Sequence, residues 1–244
     1  NFLYEFYNRK DLVENMISIA KRNYENRGMA SQANHTMVLI PGGAGIGKSR
    51  AGWESQYLLS HAEKFEINTG SLSNGLLSAL ESPLYLYIDF SSGHQYNQQL
   101  DRFPSSESAE YTRSASIRIG LRVALAAGLV RRLDDETLNN LAIDDFSIGN
   151  VLKRILELRS QSNGHELEAI IIHMDEYQQY IDSLQGYMKL TWDDARKEFK
   201  QMLKEIGNVM RNSQDDGYQF FILQYVLGRQ LRTYTFYLLN IGSE

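Results

Sequence analysis

The sequence contains no cysteine among its 244 residues. Disulfide bonds, thiolate nucleophiles and cysteine-built zinc sites are therefore excluded, and this absence fits an intracellular place of work. No apolar run approaches the roughly 18 residues that a membrane-spanning helix needs. The longest candidate, IGLRVALAAGLV, is interrupted by Arg122 and flanked by arginines. We therefore expect a soluble, intracellular chain that has no contact with a membrane.

The sequence also has no excess of positive charge. It contains 25 Lys and Arg and 30 Asp and Glu, so its net charge is −5. No global basic field draws this chain to nucleic acid, although a local basic patch stays open. Its length and its 43% hydrophobic residues are sufficient for one sizeable core. We expect a single domain over 1–244, with a lead-in helix and loop at 1–36. Because residue 1 is not Met, we expect a fragment of a longer protein.

Strands alternate with helices along the sequence. Apolar runs predict strands at 37–41, 84–90, 167–176, 218–226 and 234–241, and helical periodicity predicts helices at 11–25, 48–65, 114–132, 146–164 and 192–212. This order indicates an α/β fold of three layers, with a mainly parallel sheet of about five strands and helices on both faces. The polar segment 91–113 predicts a mobile loop near the functional site.

A glycine-rich segment between the first strand and its helix carries the clearest chemical signal. It fits the phosphate-loop pattern G-x-x-x-x-G-K-[ST], and the flanking strand and helix favour this interpretation over a chance flexible turn. The backbone N–H groups would surround phosphates, the lysine would reach the β- and γ-phosphates, and the serine hydroxyl would bind Mg²⁺. The residues predicted to bind ATP and Mg²⁺ are Gly42, Gly43, Ala44, Gly45, Ile46, Gly47, Lys48, Ser49 and Arg50.

The apolar run AIIIHMDE ends in two acids at the carboxyl end of a predicted buried strand. Ligands of open α/β sheets bind at that end. Asp175 would hold Mg²⁺, usually through water, and Glu176 would polarise the attacking water. The alternative is that both acids only cap the next segment or start a solvated turn. His173 is interpreted as a packed core residue without a chemical role.

The acid pair resembles the Walker B element of the additional-strand ATPases, which include the AAA+ and STAND proteins. The resemblance implies a further strand between the phosphate-loop strand and the acid strand, with a polar sensor at its tip. In FFILQ, Gln224 is the candidate catalytic sensor, and its alternative is a solvent-facing strand end. Arg229 or Arg232 could sense the charge of the γ-phosphate.

The segment FYNRKDLVENMI resembles the F-x-G-R-x-x-E-L lead-in of STAND and related ATPases, which lies near the adenine. Only Phe6 and Arg9 match, because Asn8 replaces the glycine and the glutamate position holds Leu12 or Val13. The resemblance therefore implies a nucleotide contact for Arg9. A GTPase is disfavoured, since no N-K-x-D guanine-binding motif occurs.

Four segments together, MVLIPGGAGIGKSR, LYLYIDFSSGHQYN, SIRIGLRVALAAG and IIIHMDEYQQY, are similar to the NTPase domain of Crinkler effectors and their retrotransposon-hot-spot relatives. That resemblance implies an attached C-terminal nuclease-like or kinase-like domain, self-association, and action in the cytoplasm or nucleus of a host cell. We expect the C-terminal lid or effector domain to be absent from this chain. The acids at 134–136 and 144–145 are interpreted as helix caps and solvated acids rather than nuclease ligands.

Three functions are compatible with these motifs. The first is a Mg²⁺-dependent ATP hydrolase in which Lys48, Glu176 and Gln224 act on ATP. The second is a nucleotide-gated switch that binds ATP and turns it over slowly. The third is a small-molecule kinase, which would need a lid of arginines. For Arg113, Arg118 and Arg122, a solubilising helix face with partly buried stems is the favoured interpretation.

Overall fold

The protein is described by a computed structural model that covers residues 10–27, 29, 36–41, 48–101, 108–163, 167–212, 219–228 and 238–240. It is an α/β chain, as predicted. The helices are α1 Lys10–Glu25, α2 Lys48–Trp53, α3 Ser55–Ser60, α4 Asn74–Glu81, α5 Ser108–Ala126, α6 Asp135–Asn140, α7 Ile148–Asn163, α8 Tyr177–Met188 and α9 Trp192–Asn212. The strands are β1 Thr36–Pro41, β2 Leu84–Asp89, β3 Leu167–Asp175, β4 Gln219–Gly228 and β5 Leu238–Asn240.

The strands form one sheet in the order β2-β3-β4-β1-β5. The pairs β2 with β3, β3 with β4 and β4 with β1 are parallel, whereas β5 runs antiparallel to β1. Pro41 pairs with Gly228, and Asp89 pairs with Asp175. The carboxyl ends of four strands therefore lie along one edge of the sheet.

Strand β3 contributes alternate residues to two separate apolar clusters. Ile170, Ile172 and Met174 pack in a cluster with buried residues of α5, α7, α8 and α9. Ala169 and Ile171 pack in a second cluster with residues of α1, α3 and α4. Because side chains alternate between the two faces of a strand, the uninterrupted apolar run of β3 fits burial on both sides.

Helix α1 is attached to the sheet through a buried amide. The Asn23 side chain donates to the carbonyl oxygens of Thr36 and Ile222, each at 2.9 Å, and accepts a bond from the Thr36 N–H at 2.9 Å. A buried amide needs such partners, since an unpaired polar group in the interior is destabilising. One side chain therefore joins α1 to both β1 and β4.

Helix α5 lies earlier in the chain than its apolar pattern predicts. It begins at Ser108, inside the segment expected to be a loop at 91–113, and ends at Ala126 rather than near 132. It ends there because Gly128 adopts a φ of 73° and the N–H of Leu129 returns to the Ala124 carbonyl at 2.9 Å. Residues 102–107 lie outside the described residues.

The helix predicted over 48–65 is divided into three pieces. Helices α2 and α3 meet at Glu54, and a short 3-10 helix follows at Ala62–Phe65. By contrast, the predicted helix at 192–212 is confirmed as the single helix α9. In the part of the chain that the structure describes, no helix has both the length and the apolar character to span a bilayer.

Candidate functional site

The direction of α2 and α3 across the sheet follows from three contacts. Gly52 in α2 lies against the ring of His173 on β3, and Trp53 contacts the Tyr87 ring on β2 with 5.9 Å between centroids. One turn later, the Gln56 side chain donates to the Pro83 carbonyl at 2.8 Å, just before β2 begins. The helices therefore run from the carboxyl edge of the sheet toward its amino edge.

This direction places the first turn of α2 at the carboxyl edge. Ser49 precedes Gly52 by three residues, which is about 4.5 Å along a helix axis. Asp175 follows His173 by two residues, which is about 6.6 Å along a strand. Ser49 and Asp175, the two predicted Mg²⁺ ligands, are thus brought to the same end of the contact between α2 and β3. Lys48 is the first residue of α2.

The contact between Gly52 and His173 is close. A Cβ atom added to Gly52 would lie 2.3 Å from the His173 Cε1 atom and 2.4 Å from its Nε2 atom. His173 is fully buried, and burial lowers the pKa of its imidazole to about 4. Its Nδ1 atom is hydrogen-bonded to the Tyr85 hydroxyl. His173 is therefore a neutral core residue at neutral pH, as the sequence predicts, and it also sets the position of α2.

Asp175 is 3% exposed, and its carboxylate accepts two hydrogen bonds. Oδ1 accepts the Glu176 N–H at 2.9 Å, and Oδ2 accepts the Tyr87 hydroxyl at 3.4 Å. Burial and the negative charge of Asp175 raise the pKa of Tyr87, so this phenol stays protonated and donates. These bonds hold the carboxylate at the end of β3.

Asp89 is the acid that the sequence interpretation missed. It ends β2 beside Asp175, and paired residues of neighbouring strands point to the same face of a sheet. Its Oδ1 accepts bonds from the Ser91 N–H at 2.8 Å and the Ser91 hydroxyl at 2.7 Å, and its own N–H donates to His94 Nδ1 at 3.3 Å. The signal in the sequence was the acid after the apolar run LYLYI.

Glu176 lies between β3 and α8 in a left-handed conformation, with φ 52° and ψ 35°. Its side chain makes no capping hydrogen bond to α8. The interpretation of Glu176 as a side-chain cap is therefore wrong. A left-handed residue with a Cβ atom is strained, and such residues concentrate at functional sites.

The register of β4 corrects the position expected for Gln224. The strand continues for four residues beyond it, to Gly228, and Gln224 pairs with Ile172 rather than with the end of β3. Three residues separate Ile172 from Asp175, which corresponds to about 10 Å along a strand. Gln224 therefore lies within β4 and not at its tip, and the register gives it no place beside Asp175.

Arg50 is held near the end of α2. Its Nε atom pairs with Glu54 Oε1 at 2.7 Å, one helical turn away. Its nucleotide contact stays a prediction. Several other predicted site residues lie outside the described residues: Arg9, Gly42, Gly43, Ala44, Gly45, Ile46, Gly47, Arg229 and Arg232. Among the residues described, no group of three or more His, Asp or Glu side chains is arranged to hold a metal ion.

Two arginines of α5 are buried rather than exposed to solvent. Arg118 and Arg122 are each 0% exposed, and they pair with Glu198 at 3.0 Å and with Asp101 at 2.8 Å. The expectation of a solubilising helix face is therefore wrong for these two residues. A lid of arginines over a kinase substrate also finds no support from them, because both guanidinium groups are used in the interior.

The acids interpreted as helix caps differ in their roles. Asp134 caps α6, since its side chain accepts the Thr137 N–H at 2.9 Å. Asp144 and Asp145 lie in a short 3-10 helix at Ile143–Phe146. Neither group adjoins the carboxyl edge formed by Asp89 and Asp175 in sequence or in strand pairing.

Comparison with known proteins gives no relative: no protein-family model, curated protein or solved structure matches the chain.

Proposed function

We propose that this chain is an ATP-binding, Mg²⁺-dependent ATP-hydrolysing module with the three-layer fold of a P-loop NTPase. The contact between Gly52 and His173 carries the proposal, because it orients α2 so that its first turn and Asp175 share one end of the sheet. A phosphate-loop lysine and serine followed by a strand-end carboxylate form the usual site for a nucleotide and Mg²⁺.

The strand order supports the additional-strand class within these NTPases. Strand β4 pairs with β1 on one side and with β3 on the other. A strand therefore separates the strand before the phosphate loop from the strand that ends in Asp175, as the resemblance to AAA+ and STAND proteins implies. We extend the proposal to a Crinkler-like effector NTPase, for which the four similar sequence segments are the support.

Each residue at the edge has a distinct task in this proposal. Lys48 neutralises the β- and γ-phosphates, Ser49 and Asp175 hold Mg²⁺ and its water shell, and Glu176 orients the attacking water. Asp89 provides a second carboxylate beside Asp175. Magnesium sites in such enzymes use one or two carboxylates together with substrate phosphates.

Phosphate release and nucleotide binding test the proposal together. We expect Lys48→Ala to abolish ATP binding in calorimetry, since the phosphates lose their cation. We expect Glu176→Gln to keep ATP binding and to lower phosphate release about 100-fold or more, as for loss of a general base. The matched control is Lys200→Ala, which removes an exposed lysine from α9.

Two results would contradict the proposal. Unchanged ATP binding by Lys48→Ala would remove the site assignment. Equally slow phosphate release by the parent protein and Glu176→Gln, with ATP bound by both, would replace hydrolysis with a nucleotide-gated switch as the function.

A further inference from the structure

Arg122 uses every N–H group of its guanidinium inside the protein. Nε donates to the His94 carbonyl at 2.8 Å, and Nη2 donates to the Gln95 carbonyl at 3.0 Å. Asp101 accepts two further bonds, at 3.1 and 2.8 Å, and the Arg118 carbonyl accepts the last at 3.1 Å. An arginine has five such donors, so this buried cation is fully satisfied.

Asp101 extends these bonds to another helix. Its Oδ1 atom also accepts the hydroxyl of Tyr180 at 2.9 Å, and Tyr180 is a fully buried residue of α8. The same hydroxyl accepts a bond from Arg118 Nη1 at 3.1 Å, and Arg118 in turn pairs with Glu198 of α9. Five buried polar groups therefore connect α5, α8, α9 and the segment after β2.

The two ends of this network lie next to the two acidic strand ends. His94 and Gln95 belong to the segment that follows Asp89, and the His94 N–H bonds back to the Asp89 carbonyl at 3.2 Å. Tyr180 lies four residues after Glu176, one turn into α8. A shift of the segment after Asp89 or of the start of α8 would therefore break hydrogen bonds that connect the two.

Apolar side chains would fill this volume at a lower desolvation cost than two arginines and their acids. Four of the five bonds from Arg122 instead fix residues 94–101 to one geometry, because each bond has a preferred distance and angle. The two carbonyl bonds from Arg122 act on backbone, so they fix the path of the chain directly after Asp89.

We propose that Arg122 and Tyr180 are positioning residues that hold the segment after Asp89 and the start of α8 in one arrangement, and so align the acidic edge for ATP hydrolysis. This inference rests on the proposed function. In this proposal neither Arg122 nor Tyr180 touches the nucleotide, and both act through Asp89 and Glu176.

Tyr180→Phe is the sharpest test, since it removes the bridging hydroxyl and leaves the ring packed against Phe90 and Phe199. We expect kcat for ATP hydrolysis to fall about tenfold while KM stays within about twofold, because geometry at the reacting centre changes but nucleotide contacts do not. Arg122→Lys keeps the charge but loses the fork, and we expect the same pattern. The matched control is Tyr187→Phe, an exposed tyrosine of the same helix.

Hydrogen exchange supplies a readout that does not depend on activity. In Tyr180→Phe, we expect amides of both 90–101 and 177–181 to exchange about tenfold faster, since either segment is held through the other. Exchange that increases only in α8, or a kcat within twofold of the parent protein, would overturn the inference. If the parent protein releases no phosphate, the proposed function fails, and exchange confined to one segment then still refutes the coupling.

Discussion

At the scale of single residues, Glu176 has an unfavourable backbone conformation and is the residue that orients the attacking water in the proposed site. Its φ of 52° brings Cβ close to the backbone, which costs about 1 kcal/mol for a residue other than glycine. The strain is maintained because β3 and α8 fix both sides of the residue. Removing the side chain should therefore relieve strain and end hydrolysis together.

We expect Glu176→Gly to raise the free energy of unfolding by up to about 1 kcal/mol while phosphate release falls to background, since glycine adopts this conformation without strain. Urea unfolding and a phosphate assay measure the two effects. Lys189→Gly is the control, because Lys189 ends the same helix with a φ of 57°. It should gain stability and keep activity. A loss of stability in Glu176→Gly would show that the side chain itself holds the turn.

Among single residues, sequence patterns identify those whose signal is local. Asp175 ends an apolar run, so its place at the end of β3 follows from the sequence. The assignment of Gly42 to Ser49 from a fixed spacing stays a prediction, because 42–47 lie outside the described residues. The place of Asp89 in the site follows only from its pairing with Asp175, 86 positions away along the chain. No local sequence pattern contains that pairing. The same holds for Arg122, whose partners lie in a segment that reads as a polar loop.

At the scale of elements, the approach of α2 to β3 depends on the absence of a side chain at residue 52. The His173 ring occupies the space where a Cβ would stand. Helix α2 can therefore lie close to the sheet, with its first turn at the same end of the sheet as Asp175. An alanine at this position would force either the helix or the imidazole to move.

We expect Gly52→Ala to lower the free energy of unfolding by about 1–3 kcal/mol, the usual range for overpacking a core, and to weaken ATP binding. The clash should be relieved in Gly52→Ala with His173→Ala, so the two substitutions should be clearly non-additive in urea unfolding. Gly186→Ala is the control, since its added Cβ meets no atom within 4 Å in α8. That variant should be stabilised by up to about 1 kcal/mol. Strict additivity would refute the clash.

Elements with a strong period were predictable, and those defined by tertiary contacts were not. Strand β3 and helices α7 and α9 begin and end within two residues of the predicted bounds, because their apolar residues repeat clearly. Helix α8 and the short α4 were missed. Strand β4 continues two residues past the predicted end at 226, because it pairs with β1 as far as Gly228.

At the scale of the whole molecule, the half-buried His94 and the fully buried His173 link stability to pH. Burial and the nearby charge of Arg122 lower the pKa of His94 to about 4, and burial lowers the pKa of His173 to about 4. In the unfolded chain both imidazoles titrate near about 6.5. Between these values the unfolded state binds more protons than the folded state, so the free energy of unfolding rises with pH.

The contribution of these histidines is therefore fully present above about pH 6.5 and is lost as the pH falls toward 4. We expect the parent protein to lose roughly 1–2 kcal/mol per histidine over this window, after allowance for screening at the half-buried His94. His94→Asn supplies an amide that can replace Nδ1 as acceptor for the Asp89 N–H and does not titrate. The free energy of unfolding of His94→Asn, measured with urea, should change less than that of the parent protein between pH 6.5 and 4.

The same measurements above pH 7 are an internal control, because the histidines are neutral in both states there and the two proteins should differ by a constant amount. Combining His94→Asn with His173→Gln should make the free energy of unfolding depend even less on pH between 6.5 and 4, since the two imidazoles lie on different segments and titrate separately. Parallel curves for the parent protein and His94→Asn from pH 7 to 4 would show that His94 takes up its proton without loss of the fold. The turn after Asp89 would then have to open readily, contrary to the four bonds that Arg122 makes to His94, Gln95 and Asp101.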